Sequence, residues 1–421
     1  MNKKVELLAP AGNLEKLKIA YLYGADAVYA GGKRFSLRAR ASNFSLEDIK
    51  EGAEFAKKLN KKLYITMNIV PHEEDLVELV SYLQTLEEYG VTGIIVSSIY
   101  IAKVCDECTS NLEIHISTQE SVLNSEAIKY YARMGATRVV LGREVSLENI
   151  REINKNIKGL KSISNFDKQL ETEVFIHGGM CSSFSGRCML SNYLTNRDAN
   201  RGGCAHSCRW NYSIYDNGTD LTGDNLFSVG SKDLNAIELI PDLIKAGVAS
   251  LKIEGRMKSL YYIACVVRSY RNLIDDYYAG IDIDFEYYKN EINKAENRIT
   301  STGFLLTNKF KHISKNEQLY SDTTETPTKE FLGIVLEYDS DTCVCTLEQR
   351  NIFYPHDKIE FFGPNMKNTI FELGSLFDDQ GRELSSANHP LDKIYFKLPF
   401  KVEKYAMMRR VWFFFNSWYN L

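Results

Sequence analysis

Eight short apolar runs rich in β-formers recur through the first 260 residues, with helical periodicity between them, and this rhythm restricts the chain to α/β architectures. The runs occupy residues 5–9, 27–30, 63–69, 93–97, 113–117, 138–141, 173–177 and 250–253. Ser45 and Ser146 each precede an acidic first turn, and Gly24, Gly90, Gly135 and Gly247 fall where helices should stop. Leu76, Leu79, Leu83 and Leu86 repeat at the spacing of one helix face. Eight units fit a (β/α)8 TIM-like barrel. Periodicity alone does not show closure, so an open doubly wound sheet stays in view. The chain has 421 residues, 44% of them hydrophobic, enough for a large core and unlike disordered or collagen-like sequences.

The rhythm breaks once. Residues 178–230 form a segment rich in Gly, Ser, Asn and Cys, inserted after strand seven, where it would sit over the barrel mouth. A helix over 259–278 then closes a barrel domain expected to span 1–311. The polar stretch 312–329 reads as a linker. From 330 to 410, alternating segments between Asp, Gly and Pro turns predict a small all-β barrel, and 411–421 is an aromatic tail.

Lysine and arginine total 51 against 55 acidic residues, net −4, so no global positive field marks a non-specific nucleic-acid binder. The N-terminus lacks the apolar stretch of a signal peptide, and no run reaches membrane-spanning length, so a cytoplasmic protein is expected. Its nine cysteines are then thiols or metal ligands.

Four of them, Cys181, Cys188, Cys204 and Cys208, lie within 28 residues as C-x6-C-x15-C-x3-C, among glycines that permit tight turns. Four thiolates suit tetrahedral zinc or a [4Fe–4S] cluster. Zinc ribbons favour two tight knuckles, and only the second pair is tight, which favours the cluster. Between 178 and 212, Arg187, Arg197, Arg201 and Arg209 face only Asp198, a local excess of +3. They form a candidate RNA-phosphate patch, or else they bond loop carbonyls and offset an anionic cluster. Tyr193, Trp210 and Tyr212 are candidates for base stacking or for the lobe's own small core. Cys105 and Cys108 on a helix, and Cys343 and Cys345 on one strand face, read as packing.

Charged residues at strand ends form a second constellation: Arg143 and Glu144 after strand six, Glu173 and His177 bracketing strand seven, and Lys252, Glu254 and Arg256 along and beyond strand eight. At a barrel mouth, arginines clamp carboxylates while Glu or His moves protons; a structural ring of ion pairs is the plainer reading. Ser117, Thr118 and Gln119 add neutral hydrogen-bonding groups. No phosphate loop, H-E-x-x-H or G-x-S-x-G occurs.

The segment EVFIHGGMCSSFSGRCMLS at 173–191 resembles the signature of the collagenase-like peptidase family of unassigned catalytic type, peptidase family U32. ELLAPAGN at 6–13, GADAVY at 24–29, FSLR at 35–38, ISTQ at 116–119, SKDL at 231–234, SLKIEGRMKS at 250–259 and QRN at 349–351 resemble the same family. Gly179 departs from the Ser or Ala usual there. The resemblance implies an iron–sulfur protein acting in oxygen-independent hydroxylation. The long form with an appended β-domain looks most like the branch that makes 5-hydroxyuridine at the tRNA wobble position and is linked to prephenate. It places cluster ligands on Cys181, Cys188, Cys204 and Cys208. The expected site then has Glu173, His177 and Glu254 as proton-handling groups and Arg38, Gln119, Arg143, Lys252 and Arg256 as contacts to a small carboxylated co-substrate such as prephenate. Arg187, Arg197, Arg201 and Arg209 are the expected tRNA contacts. A homologous partner subunit is left open. The alternatives are a collagenase-like peptidase and a non-catalytic RNA-binding scaffold built on structural zinc.

Overall fold

The computed structural model describes residues 4–37, 43–164, 168–223, 226–295, 298–306 and 330–411. Arg38, the linker 312–329 and residues 412–421 of the aromatic tail lie outside them. The chain divides into two compact units, 1–289 with 298–325, and 290–297 with 326–421.

The first unit is a closed barrel. Its strands are β1 (Glu6–Ala11), β2 (Ala27–Gly31), β3 (Lys62–Met67), β4 (Gly93–Val96), β5 (Glu113–Ile116), β6 (Ala136–Val140), β7 (Glu171–Gly178) and β8 (Ser250–Ile253). All run parallel in sequence order, and β8 pairs with both β1 and β7, Ser250 standing opposite Glu6 and Glu173. Closure rules out the open sheet.

Between the strands run α1 (Leu14–Leu22), α2 (Leu46–Lys58), α3 (Leu79–Glu88), α4 (Ile99–Cys108), α5 (Ser125–Ala132) and α6 (Leu147–Ile157). The side chains of Asn13, Ser45, Ser98, Asn124 and Ser146 accept the orphan N–H groups that start five of these helices, and Asp48 completes a capping box on α2. Leu79, Leu83 and Leu86 are buried on α3, but Leu76 belongs to a separate turn (Glu73–Leu76), because Glu78 takes a left-handed φ of 61° between them. The inserted lobe carries α7 (Leu190–Thr195), and α8 (Ile240–Lys245) and the long α9 (Leu260–Ala279) follow it. Among the described residues no helix is long and apolar enough to cross a membrane.

The barrel lumen combines apolar packing with charge. Leu8, Ala27, Tyr29, Tyr64 and Ile95 cluster there. Arg138 on β6 is 1% exposed and reaches Glu6 at 2.5 Å, Glu171 at 2.6 Å and Glu173 at 3.3 Å. Burial raises the Glu6 pKa, but the Arg138 guanidinium outweighs it and holds the carboxyl down at about 2.

The second unit begins inside a helix that the charged stretch after Gly280 did not announce, α10 (Phe285–Asn293). Its eight strands are β9 (Phe331–Asp339), β10 (Val344–Gln349), β11 (Lys358–Phe362), β12 (Thr369–Glu372), β13 (Leu376–Phe377), β14 (Glu383–Leu384), β15 (Lys393–Lys397) and β16 (Met407–Arg410). They form one antiparallel half-barrel sheet in the order β12-β11-β16-β9-β10-β15-β13-β14. Leu332, Val335, Leu347, Phe361 and Phe396 lie in its core. Cys345 is buried there, but Cys343 is exposed at the turn before β10 with φ 56°, so the two do not share a buried face.

Candidate active site at the barrel mouth

The inserted lobe leaves β7 at Gly178, where φ is 103° and a Cβ would come within 2.4 Å of the Glu254 carbonyl, so glycine alone fits. The lobe is bonded to the loops that follow β3, β5 and β6, and therefore lies at the carboxyl ends of the strands. Arg201 pairs with Asp75 and donates to the Val70 carbonyl at 3.1 Å. Arg187 reaches Glu120 at 2.6 Å, and Glu144 accepts the Ser185 backbone N–H at 2.6 Å. Arg209 reaches the buried Asp233 at 3.0 Å, on a short strand (Asp233–Asn235) that pairs antiparallel with β7. Three of the four lobe arginines are thus bound to carboxylates within the protein. Arg197 is exposed.

The lobe carries the four thiols, and Cys181 and Cys204 lie near enough to Cys208 to act on it electrostatically. Cys181 is exposed, while Cys188, Cys204 and Cys208 are half-buried. Burial raises the Cys208 pKa, and the neighbouring Cys181 and Cys204 add to the rise against Ser182 and Arg209. Burial likewise opposes ionisation of Cys188, but hydrogen bonds from Ser183 and from the start of α7 at Leu190 and Ser191 bring its pKa down overall. Among the described residues no three His, Cys, Asp or Glu side chains are set to hold a single metal ion. The donor set, four sulfurs among bond-donating serines and backbone N–H groups, fits an iron–sulfur cluster by its chemistry.

Below the lobe a column of cations and rings descends into the barrel. Arg143 stacks on Phe175, 3.9 Å from its centroid, and donates to the Gly179 carbonyl at the root of the lobe. The Lys252 ammonium lies 5.3 Å from the Phe175 centroid, 4.6 Å from that of Tyr29 and 2.6 Å from Glu173. Burial lowers the Lys252 pKa, opposed by Glu173. Glu254 is half-buried, and a Cβ on Gly179 would lie 3.7 Å from its Oε2. Gln119, 7% exposed, accepts from Ser117 and donates to the Asn68 carbonyl at 3.2 Å.

Three expected site residues are placed differently. Glu173, expected at the start of strand seven and yet at the mouth, is the third residue of β7, far from its carboxyl end, and lies deep in the lumen as the shared partner of Arg138 and Lys252. His177 faces away from the mouth: its Nδ1 is 3.2 Å from the Tyr270 hydroxyl of α9. The cause is a bulge at Ile176, since Lys252 pairs with Phe175 but Ile253 with His177, and one extra residue reverses which side the next side chain faces. Arg256 is 5% exposed and donates to Ser36 at 2.9 Å and Thr66 at 3.2 Å, pinning the loop after β2. The anchors Asp75, Glu120 and Asp233 carry no motif as acceptors; only Asp233 falls in a segment that had drawn notice.

Comparison with known proteins agrees with this two-part organisation. The model for peptidase family U32 matches residues 12–315, and that for the peptidase family U32 C-terminal domain matches 327–409. The chain is 44% identical over 418 residues to tRNA hydroxylation protein P1 of Bacillus subtilis, covering 97% of this chain and 96% of that protein. It is 30% identical over 457 residues to tRNA hydroxylation protein P of Haemophilus influenzae, covering 97% and 96%. It is also 35% identical over 278 residues to a collagenase of Porphyromonas gingivalis, covering 65% and 66%. With the cysteine lobe, seven of the eight barrel strands and nearly all of the terminal β-domain inside the matched ranges, the chain belongs to peptidase family U32.

Proposed function

We propose that this chain takes part in the hydroxylation of tRNA, converting the wobble uridine to 5-hydroxyuridine, with a [4Fe–4S] cluster held by Cys181, Cys188, Cys204 and Cys208. The observation that carries the reading is the all-thiol lobe fastened by ion pairs over a barrel mouth, with Arg143 bonded to the lobe's root at Gly179. The near full-length similarity to two proteins named for tRNA hydroxylation supports it.

Such a cluster supplies one-electron transfer when bound. The protein's own groups bind and orient. Arg143, held flat against Phe175, presents a guanidinium suited to a carboxylate, which fits prephenate as the small co-substrate. Glu254, half-buried beside the lobe root, is the carboxylate placed to accept a proton there. Lys252 and Arg138 neutralise Glu173 and keep the lumen rigid beneath.

The test is anaerobic purification with iron, sulfide and zinc analysis, followed by nucleoside analysis of tRNA from a deletion strain carrying either the natural gene or Cys181→Ala. Iron and sulfide in the protein, with 5-hydroxyuridine restored only by the natural gene, is the expected result. Zinc without iron would return the chain to a scaffold role. Gelatin cleavage that survives Cys181→Ala would favour a peptidase.

A further inference from the structure

Arg187, Arg201 and Arg209 are paired with Glu120, Asp75 and Asp233, which turns attention to the groups on the lobe's surface that no carboxylate is shown to hold. Its stacking candidates separate cleanly. Tyr212 is structural: its hydroxyl donates to the Ser207 carbonyl at 2.6 Å and its backbone pairs with Phe227. Tyr193 on α7 is 87% exposed, with Met189 at 69% one turn before it. A tyrosine so exposed is no part of a miniature core. The helix packs on the turn Ser207–Arg209, and the next residue, Trp210, is also exposed.

We propose that the outer face of α7, centred on Tyr193, stacks an unpaired base of the RNA, with Arg197 meeting a neighbouring phosphate. This rests on the reading that the chain acts on tRNA, and adds where the strand lies. Residues 189–197, MLSNYLTNR, contain no carboxylate and end in an exposed arginine, so the face is electrostatically open to a polyanion. Exposed Tyr193 and Asn196 beside the exposed Arg197 are of the aromatic, amide and cationic kinds that read single-stranded RNA. A protein-binding face would be expected to centre on a larger apolar core without the Asn192, Thr195 and Asn196 that surround Tyr193. Tyr193 also lies five residues after Cys188, which stands just before α7, so the ring and that thiol are carried on one short stretch of chain. The same short helix whose start donates to the Cys188 thiol thus carries the stacking ring, which couples RNA position to the thiol lobe.

The experiment measures binding of the whole chain to bulk tRNA from a strain lacking the gene, with iron content recorded for every variant. Tyr193→Ala should weaken binding roughly 5- to 150-fold, the range that loss of one stacked base represents, with iron content unchanged. Tyr193→Trp should restore it to within about twofold, because any aromatic face stacks a base. Arg197→Ala should lower the salt dependence by about 0.7 in the log–log slope, one phosphate of a single strand. Oligouridylate should compete, and duplex RNA should not. Equal tRNA affinity for the natural chain and Tyr193→Ala overturns the proposal. So does a variant that changes only the oligomeric state by light scattering, since the face would then join protein to protein. Failure of the natural chain itself to bind tRNA removes the functional reading together with the proposal.

Discussion

Arg138 on β6 donates to Glu6 on β1 across 2.5 Å, joining two strands that are not neighbours in the sheet through the middle of the barrel. Neither group is free to change alone, because each is buried and charged. Arg138→Met should cost about 3–5 kcal/mol by taking the guanidinium from Glu6 and Glu171 and leaving Glu173 to Lys252 alone. Denaturant unfolding measures this, and adding Glu6→Gln to the same protein should recover part of it. Equal stability of the single variant and the natural chain would remove the network from the account.

The same pair sets an acid limit. Glu6 is held at about 2 in the folded protein against an ordinary 4.5, and Glu291, which burial raises but Arg409 and Lys294 pull down, is also held at about 2. A depressed carboxylate contributes its stability above the unfolded value and loses it as pH falls toward the folded one. Unfolding midpoints in urea should therefore fall in two steps, a first below about pH 6.5, where the unfolded chain takes up a proton that burial of His115 resists, and a second between about 4.5 and 2. In Glu6→Gln the second step should be shallower, though the starting stability is lower.

His177 and Arg143 should part company on mutation. His177 bonds Tyr270 behind the barrel, so His177→Asn should lower stability by about 1–2 kcal/mol and leave the tRNA product unchanged in cells that fold it. Arg143→Ala should abolish the product with little change in melting temperature, and Arg143→Lys should not restore it, since an ammonium lacks the planar fork. Nucleoside analysis beside thermal melts separates the two; loss of product in a well-folded His177→Asn would return that residue to the site.

The lobe anchors should act together. Each is a partly exposed pair worth about 1 kcal/mol or less, so Arg187→Gln or Arg201→Gln alone should change little. Glu120→Gln with Asp75→Asn and Glu144→Gln should release the lobe, seen as faster tryptic cleavage within 178–230 while the barrel fragments persist.

In the second unit, Arg409 binds Glu291 at 2.9 Å and Glu360 at 2.5 Å, and Glu291 comes from α10. A fragment of residues 285–421 should melt several degrees above one of 326–421, and Arg409→Met should remove the difference.

What could be read from the chain alone follows from the range of the interactions involved. Strand rhythm, the caps at Ser45 and Ser146 and the fold class are local and were legible. The placement of all four thiols in one inserted segment was equally plain, because they are neighbours in sequence. The direction of His177 was not: it depends on a bulge created by pairing with a strand some seventy residues later. The fate of the lobe arginines was hidden for the same reason, since the acceptors of Arg201 and Arg187 stand 126 and 67 residues away. Helix α10 was missed because its few apolar positions are spread among charges and asparagines.

The fastening of the lobe also has a direction in time. Asp75, Glu120 and Glu144 all precede residue 178, so a growing chain has made three of the lobe's holding points before the lobe emerges. Strand β8, which completes the ring, leaves the ribosome only after the last cysteine of the lobe. For that interval, at ordinary elongation speeds of about 5–20 residues per second, the thiols are present on a scaffold still open on one side. Closure of the barrel by β8 is therefore a late event that follows the appearance of all four cysteines.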